Sequence, residues 1–282
     1  MRRTAYFIIA AALLSGCRVD KGEPFEPTRL GFDLARYTPD VLSGLCVSTQ
    51  ELLLFNDYLE AGEEQREEIH DRNFYHSRIV ERGGGEWQII SSGRELTIRT
   101  GGKTLSEEGA EWQYYLADDT YVDGDFPSLR LTSAEDDGSA GYALHIPEPA
   151  QGYYRYGQCS GDITLTRTPY DITSGGKTEE HHSFTFAGTF SQYVNRSYFG
   201  AELCGVQVLE PLLYYPDEKY ERGIVSGAIS MTITSGGVSC SPEATFTGSG
   251  GVTVRGGEGN AYTKDYNMYD HYAYGYGHYY WD

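Results

Sequence analysis

Apolar residues return along the chain in two rhythms. Val41, Leu42, Leu45, Leu52, Phe55 and Leu59 recur at three- and four-residue steps, which is one stripe of an amphipathic helix. Thr38 is placed to cap that helix and Pro39 to open it. A second, charged turn is expected over Glu63 to His70. Six acids from Glu60 to Asp71 stand there against Arg66 and Arg72, and this reads as a solvated face. From Phe74 onward the period becomes two. Trp87 and Ile89, then Leu96 and Ile98, then Trp112, Tyr114 and Leu116 read as successive strands. Gly83 to Gly85 precede them, and Gly93 and the pair Gly101-Gly102 punctuate them as tight hairpin turns.

Beyond residue 150 the alternation is cleaner. Ile163 and Leu165 alternate with Thr164 and Thr166, and Phe184, Phe186 and Phe190 share a face opposite Thr185 and Thr189. Ile229, Met231 and Ile233 alternate with Ser230, Thr232 and Thr234, and Val252 and Val254 flank Thr253. One apolar face and one Thr/Ser face describe antiparallel sheets wetted on one side. The fold class expected is mainly β with one N-terminal helical segment, its strands in a meander, a sandwich or barrel-like sheets. Thr-Ser-Gly-Gly occurs at 173–176 and at 234–237. No helix start follows either copy, so both read as turns and not as phosphate cradles.

Pro147, Pro149 and Gly152 mark the expected boundary between a helix-plus-meander domain (30–147) and an antiparallel β domain (152–255). The last segment, 256–282, holds eight of the 25 tyrosines and five glycines and reads as a low-complexity tail. Its functional alternative is an aromatic surface for a sugar or a protein, because Tyr gives large contact area at low entropic cost.

The start of the chain is different again. Arg2 and Arg3 precede an apolar run of ten residues, Ala5 to Leu14. Ten helical residues span about 15 Å, half of a ~30 Å hydrocarbon core, so the run is a signal and not a membrane span. Leu14-Ser15-Gly16-Cys17 follows, and this resembles the lipobox of bacterial lipoproteins. The resemblance covers 17 residues. It implies a signal peptide at 1–16, cleavage between Gly16 and Cys17, and a diacylglycerol thioether on Cys17, the palmitate-type anchor of such proteins. Several acyl chains, at about 0.8 kcal/mol per buried CH₂, hold a domain to a membrane durably. Residues 17–29, broken by Pro24 and Pro27, then form a lipidated tether. With the Tyr- and Gly-rich β-pattern behind it, the chain is similar to envelope lipoproteins of Bacteroidales type. That likeness implies the cell envelope, with the protein anchored to the outer membrane and facing either the periplasm or the surface.

Charge narrows the partners. Without Arg2 and Arg3 the mature chain holds 20 basic against 41 acidic residues, a balance of −21. Such a field repels phosphate backbones, so nucleic acid is excluded as a partner and the lipid is the only membrane attachment. With Cys17 acylated, Cys46, Cys159, Cys204 and Cys240 form an even set for two disulfides. Three pairings are open, and a buried thiol at Cys46 is the alternative.

Catalytic signatures are missing: there is no G-x-S-x-G, no H-E-x-x-H and no G-x-x-x-x-G-K-[ST]. His181 and His182 would point to opposite faces of a strand and could not chelate one ion. The acids Asp118, Asp119, Asp123 and Asp125 cluster, as do Glu135, Asp136 and Asp137. No cofactor is expected, with calcium held by Asp119, Asp123 and Asp125 as the one exception, because exported β-proteins use such oxygen-rich loops. Set against the EF-hand pattern, Tyr121 and Arg130 fall on ligand places, so the loop is not of that kind.

Three functions follow from this reading. The first is a non-catalytic module binding a glycan or an envelope protein. The second is an anchored polysaccharide hydrolase whose paired carboxylates lie among these acids. The third is a structural, pilus-type subunit joined by strand exchange.

Overall fold

The computed structural model describes residues 31–32, 34–117, 119, 121, 124–148, 159–193, 203–216, 223–235, 238–248, 250–256 and 263–267. The fold is mainly β and antiparallel, with an N-terminal helical segment. It forms two compact units: one is residues 41–190, and the other takes the described parts of 1–40 and 191–282.

The first unit begins within helix α1 (Thr38–Glu60), passes through α2 (Glu63–Asn73), and continues as a meander. Its strands are β1 (Arg78–Gly83), β2 (Glu86–Ser91), β3 (Arg94–Arg99), β4 (Glu111–Leu116), β5 (Ser128–Ala134), β6 (Ala140–Ile146), β7 (Cys159–Ser174) and β8 (Lys177–Tyr193), neighbours in chain order. The apolar stripe of α1 explains the packing. Val41, Leu42, Leu45, Leu52 and Phe55 are all buried, and the Phe55 ring meets Trp87 at 5.7 Å and Trp112 at 5.8 Å. The stripe is wider than its spacing suggested, since Cys46, Leu53 and Asn56 are buried too. Asn56 accepts the Leu105 N–H at 2.7 Å, and so closes a buried backbone group of the β3–β4 loop. Arg66 ends α1 by donating to the carbonyls of Tyr58 (2.9 Å) and Leu59 (2.6 Å), two of the orphans a helix C-terminus leaves. No residue of the charged helix α2 is buried.

β7 and β8 are joined by the turn Gly175-Gly176, both glycines at positive φ. Farther along the pair, Gly161 (φ +142°) and Gly188 (φ +109°) lie so close to the facing backbone that a Cβ on either would clash with it. The break expected between Pro147 and Gly152 does not divide the units. β6 and β7 pair from Ala140↔Arg167 to Ile146↔Gly161, and this ladder of hydrogen bonds holds both sides of the Pro/Gly stretch in one sheet.

The second unit contains β9 (Leu203–Tyr215), β10 (Gly223–Ser235), β11 (Val238–Cys240), β12 (Glu243–Phe246), β13 (Gly251–Arg255) and β14 (Thr263–Asn267). β10 pairs with β9, β11 and β12, and β13 pairs with β12 and β14. Met231, Ile229, Ala244, Phe246, Val252 and Val254 are its core. The chain around residue 31 lies on that core: a Cβ on Gly31 would come within 2.7 Å of Pro242 and Val254. Buried Gln192 ties down the start of α1. Its Nε2 donates to the Leu34 carbonyl (3.1 Å), and its Oε1 accepts from the hydroxyl of Thr38, the residue expected as the cap (3.2 Å). β14 lies within the segment read as a low-complexity tail. Its backbone pairs along β13 from Gly251↔Asn267 to Arg255↔Thr263, which needs no aliphatic side chain of its own.

Candidate functional site

The same strands that bury Trp112 carry a polar and aromatic surface on their other face. In antiparallel pairs, directly opposed residues share a face. Glu86↔Arg99, Arg99↔Gln113, Gln113↔Ser128, Ser128↔His145 and His145↔Asp162 are such pairs, so one surface runs from β2 to β7.

Arg99 organises one end of it. Its Nε donates to Glu86 (3.1 Å) and its Nη2 to the Tyr115 hydroxyl (3.2 Å). The guanidinium lies 5.2 Å from the Tyr115 ring centre and 4.9 Å from that of Phe126, at cation–π range of both. Tyr115 and Phe126 stack at 4.4 Å with their planes 21° apart, and Tyr121 meets Phe126 edge-on at 6.4 Å. Burial, with the nearby Asp119 adding to it, pushes the Tyr121 hydroxyl well above its ordinary pKa, so it stays protonated.

His145 organises the other end. Its Nδ1 is 2.7 Å from Asp162 and its Nε2 is 3.8 Å from Asp125. A carboxylate only accepts, so Nδ1 carries the proton that Asp162 takes up as a hydrogen bond. This resembles the base half of a hydrolase only in part. The neighbouring Ser128 hydroxyl donates to Glu111 (2.7 Å), and the far nitrogen of His145 faces Asp125 and not a nucleophile.

Two of the acids expected as a calcium loop, Asp119 and Asp125, are among the described residues. Asp119 accepts the Leu116 N–H at 2.8 Å and closes a local turn, whereas Asp125 faces His145. Asp123 lies outside the described residues, as do Cys17 and the tail from residue 268. Among the described residues no three His, Cys, Asp or Glu converge on a metal position. Asp137 takes hydrogen bonds from the Ser139 hydroxyl and N–H, which hold its carboxyl below the usual range and shape the β5–β6 turn. Trp112 is fully buried beneath α1, and Trp87 is half-buried against the same Phe55 ring.

Cys46, Cys159 and Cys204 are buried, and burial pushes the Cys159 thiol up to about 12. Cys204 and Cys240 are both registered with Ile233, one on each side of it. They stand two strand spacings apart, roughly 9.5 Å, beyond the ~7 Å that a disulfide spans. The pairing Cys204–Cys240 is therefore closed to this sheet.

Arg99 and Glu86 are 13 residues apart in the chain and His145 and Asp162 are 17, and strand register brings each pair together, whereas Asp125 and Phe126 come from the β4–β5 loop. The sequence reading singled out Asp125 but missed Arg99, Tyr115, Phe126 and His145. The alternation of β3, β4 and β6, read for both faces, would have put Arg99, Tyr115 and His145 on one side, whereas Phe126 lies in the β4–β5 loop and carries no such signal. No family model, no curated protein and no solved structure matches the chain.

Proposed function

We propose that this is an exported envelope protein, held to the outer membrane by acyl chains on Cys17, whose body is a non-catalytic module binding a glycan or an envelope protein. The observation that carries the binding reading is the stacked Tyr115–Phe126 pair with Arg99 and Glu86 fixed at its side. Rings flanked by oriented donors and acceptors suit a pyranose, which offers an apolar C–H face and a rim of hydroxyls. His145, Asp125 and Asp162 extend the hydrogen-bonding rim along the same face. The anchor rests on the Leu14-Ser15-Gly16-Cys17 motif.

Two experiments test this. Cys17→Ser should move the protein from the membrane fraction to the soluble one, and retention in the membrane would refute the anchor. A glycan array and an envelope pull-down with wild type and Tyr115→Ala/Phe126→Ala should give a ligand that the double variant loses. A ligand held equally by both proteins would refute the site.

One observation favours a second reading, the structural subunit. Among the described residues β14 pairs on one side only, with β13, leaving an edge to which a further strand could add. SDS-resistant ladders of the mature protein would support it, and a strictly monomeric protein would count against it.

A further inference from the structure

The two rings stacked on the outer surface are held in different ways. Tyr115 stands on β4 and its hydroxyl takes a hydrogen bond from Arg99 on β3, so strand register fixes it. Phe126 belongs to the β4–β5 loop. That stretch is pinned on one side at buried Pro127, whose carbonyl accepts the Tyr114 N–H at 2.9 Å. On the other side it turns at Gly124, with φ at +90°. Only Asp125 and Phe126 lie between these two points. Whatever takes hold of the Asp125 carboxylate therefore also sets the Phe126 ring.

His145 is the group in reach of it. Its two ring nitrogens face carboxylates from different elements, Nδ1 at 2.7 Å from Asp162 on β7 and Nε2 at 3.8 Å from Asp125. A neutral imidazole has one proton to give. With that proton on Nδ1 and shared with Asp162, Nε2 turns a lone pair towards a carboxylate oxygen, and two acceptors stand face to face. The 3.8 Å between them is longer than the ~3.2 Å limit of a good N–H···O bond. A second proton reverses the interaction. Nε2–H then donates, and the imidazolium bridges both acids through charge-assisted bonds. The other groups facing this cluster come from β4, β5 and β7. Ser128 opposes His145 and gives its hydroxyl to Glu111, while Arg130 directly opposes Glu111 and offsets its charge. On β7 the next residue of that face is Thr164, which carries no charge.

We propose that His145 is a proton-operated clamp on the β4–β5 loop: once protonated it draws Asp125 into a hydrogen bond, fixes the Phe126 ring beside Tyr115, and tightens capture by the outer surface in acid. The effect on capture rests on the binding role proposed above for that surface, whereas the clamp itself does not. His145 acts here as a positioning residue, through Asp125 and the loop. An exposed ion pair shifts such an equilibrium by roughly twofold to fivefold, and capture follows the fraction of molecules with the ring in place.

The clamp is tested without any ligand, by NMR of the full-length protein in detergent micelles with phenylalanine and histidine rings labelled. From about pH 8 down to about pH 5, the window in which an imidazole changes charge, the Phe126 ring signals should shift with the same midpoint as His145. Phe126→Leu assigns those signals. In Asp125→Ala, His145 should still titrate while Phe126 no longer follows it, and His145→Gln should abolish the Phe126 transition. Phe126 signals that stay still while His145 titrates, or that move unchanged in Asp125→Ala, overturn the proposal. The glycan array, probed at about pH 5.5 and about pH 7.5, reads the consequence. Wild-type spots should be roughly twofold to fivefold stronger at the lower pH, with that ratio falling to one in His145→Gln. Spots equally strong at both pH values overturn the control of capture. An array without a hit at either pH refutes glycan binding by the surface and not the clamp, which the NMR titration decides by itself.

Discussion

Two rows of residues cross β4 to β7 one position apart. Trp112, Leu129, Leu144 and Ile163 are in direct register, and none is more than 2% exposed. Gln113, Ser128, His145 and Asp162, the next position on β4, β6 or β7 and its partners, are in direct register on the other face. The first row is buried, with Trp112 against Phe55 of α1. The second row spends its side chains on one another and on whatever meets them from outside. Because the side-chain period of a strand is two, one residue of slip would exchange the two rows completely. Stability and recognition are therefore divided by face and not by segment, and substitutions should separate them.

The largest effect should come from the buried row. Trp112→Ala removes a fully buried ring that touches Phe55 and whose Nε1 donates to the Lys103 carbonyl (2.9 Å). A loss of about 3–5 kcal/mol is expected, read from the denaturant midpoint. A loss under about 1 kcal/mol would break the comparison at its root. Next is Asn56→Ala, which leaves the buried Leu105 N–H without its acceptor and should cost about 1–3 kcal/mol.

Alkaline pH probes the same face. Burial raises the pKa of both Cys159, to about 12 from 9.0, and Tyr114. The unfolded chain then releases these protons before the folded one does, so stability falls as pH rises above about 9 for Cys159 and above about 10 for Tyr114, by roughly 1–1.5 kcal/mol per pH unit for each group. Denaturant midpoints measured at rising pH check the sign, and stability that increases over this window would refute it. The smallest effect belongs to the outer face. Arg99→Ala severs the half-buried Glu86 pair and two cation–π contacts, yet should cost only about 1 kcal/mol while weakening ligand capture.

What could be read in the chain divides along the same line. The stripe of α1, the glycine turns and the buried positions Ile89, Leu96, Ile98, Trp112 and Tyr114 follow from local periodicity, and the structure carries them. The outer surface depends on register between strands. Nothing in the local pattern says that His145 stands against Asp162, or that the Asp125 loop returns to His145. Strand periodicity puts Trp87 and Trp112 on the apolar face, but only the packing of Phe55 from α1 against both rings shows what covers them. β14 was hidden because pairing with β13 is a property of the backbone, whereas the Tyr- and Gly-rich composition of the segment argued for no structure at all.

The most direct test is ligand titration of wild type and Tyr115→Ala/Phe126→Ala, with the unfolding midpoint of each measured on the same samples. The expected result is binding weakened at least about tenfold, with stability changed by no more than about 1–2 kcal/mol. Binding that survives the double substitution, or that disappears only because the protein unfolds, would contradict the division of labour between the two faces.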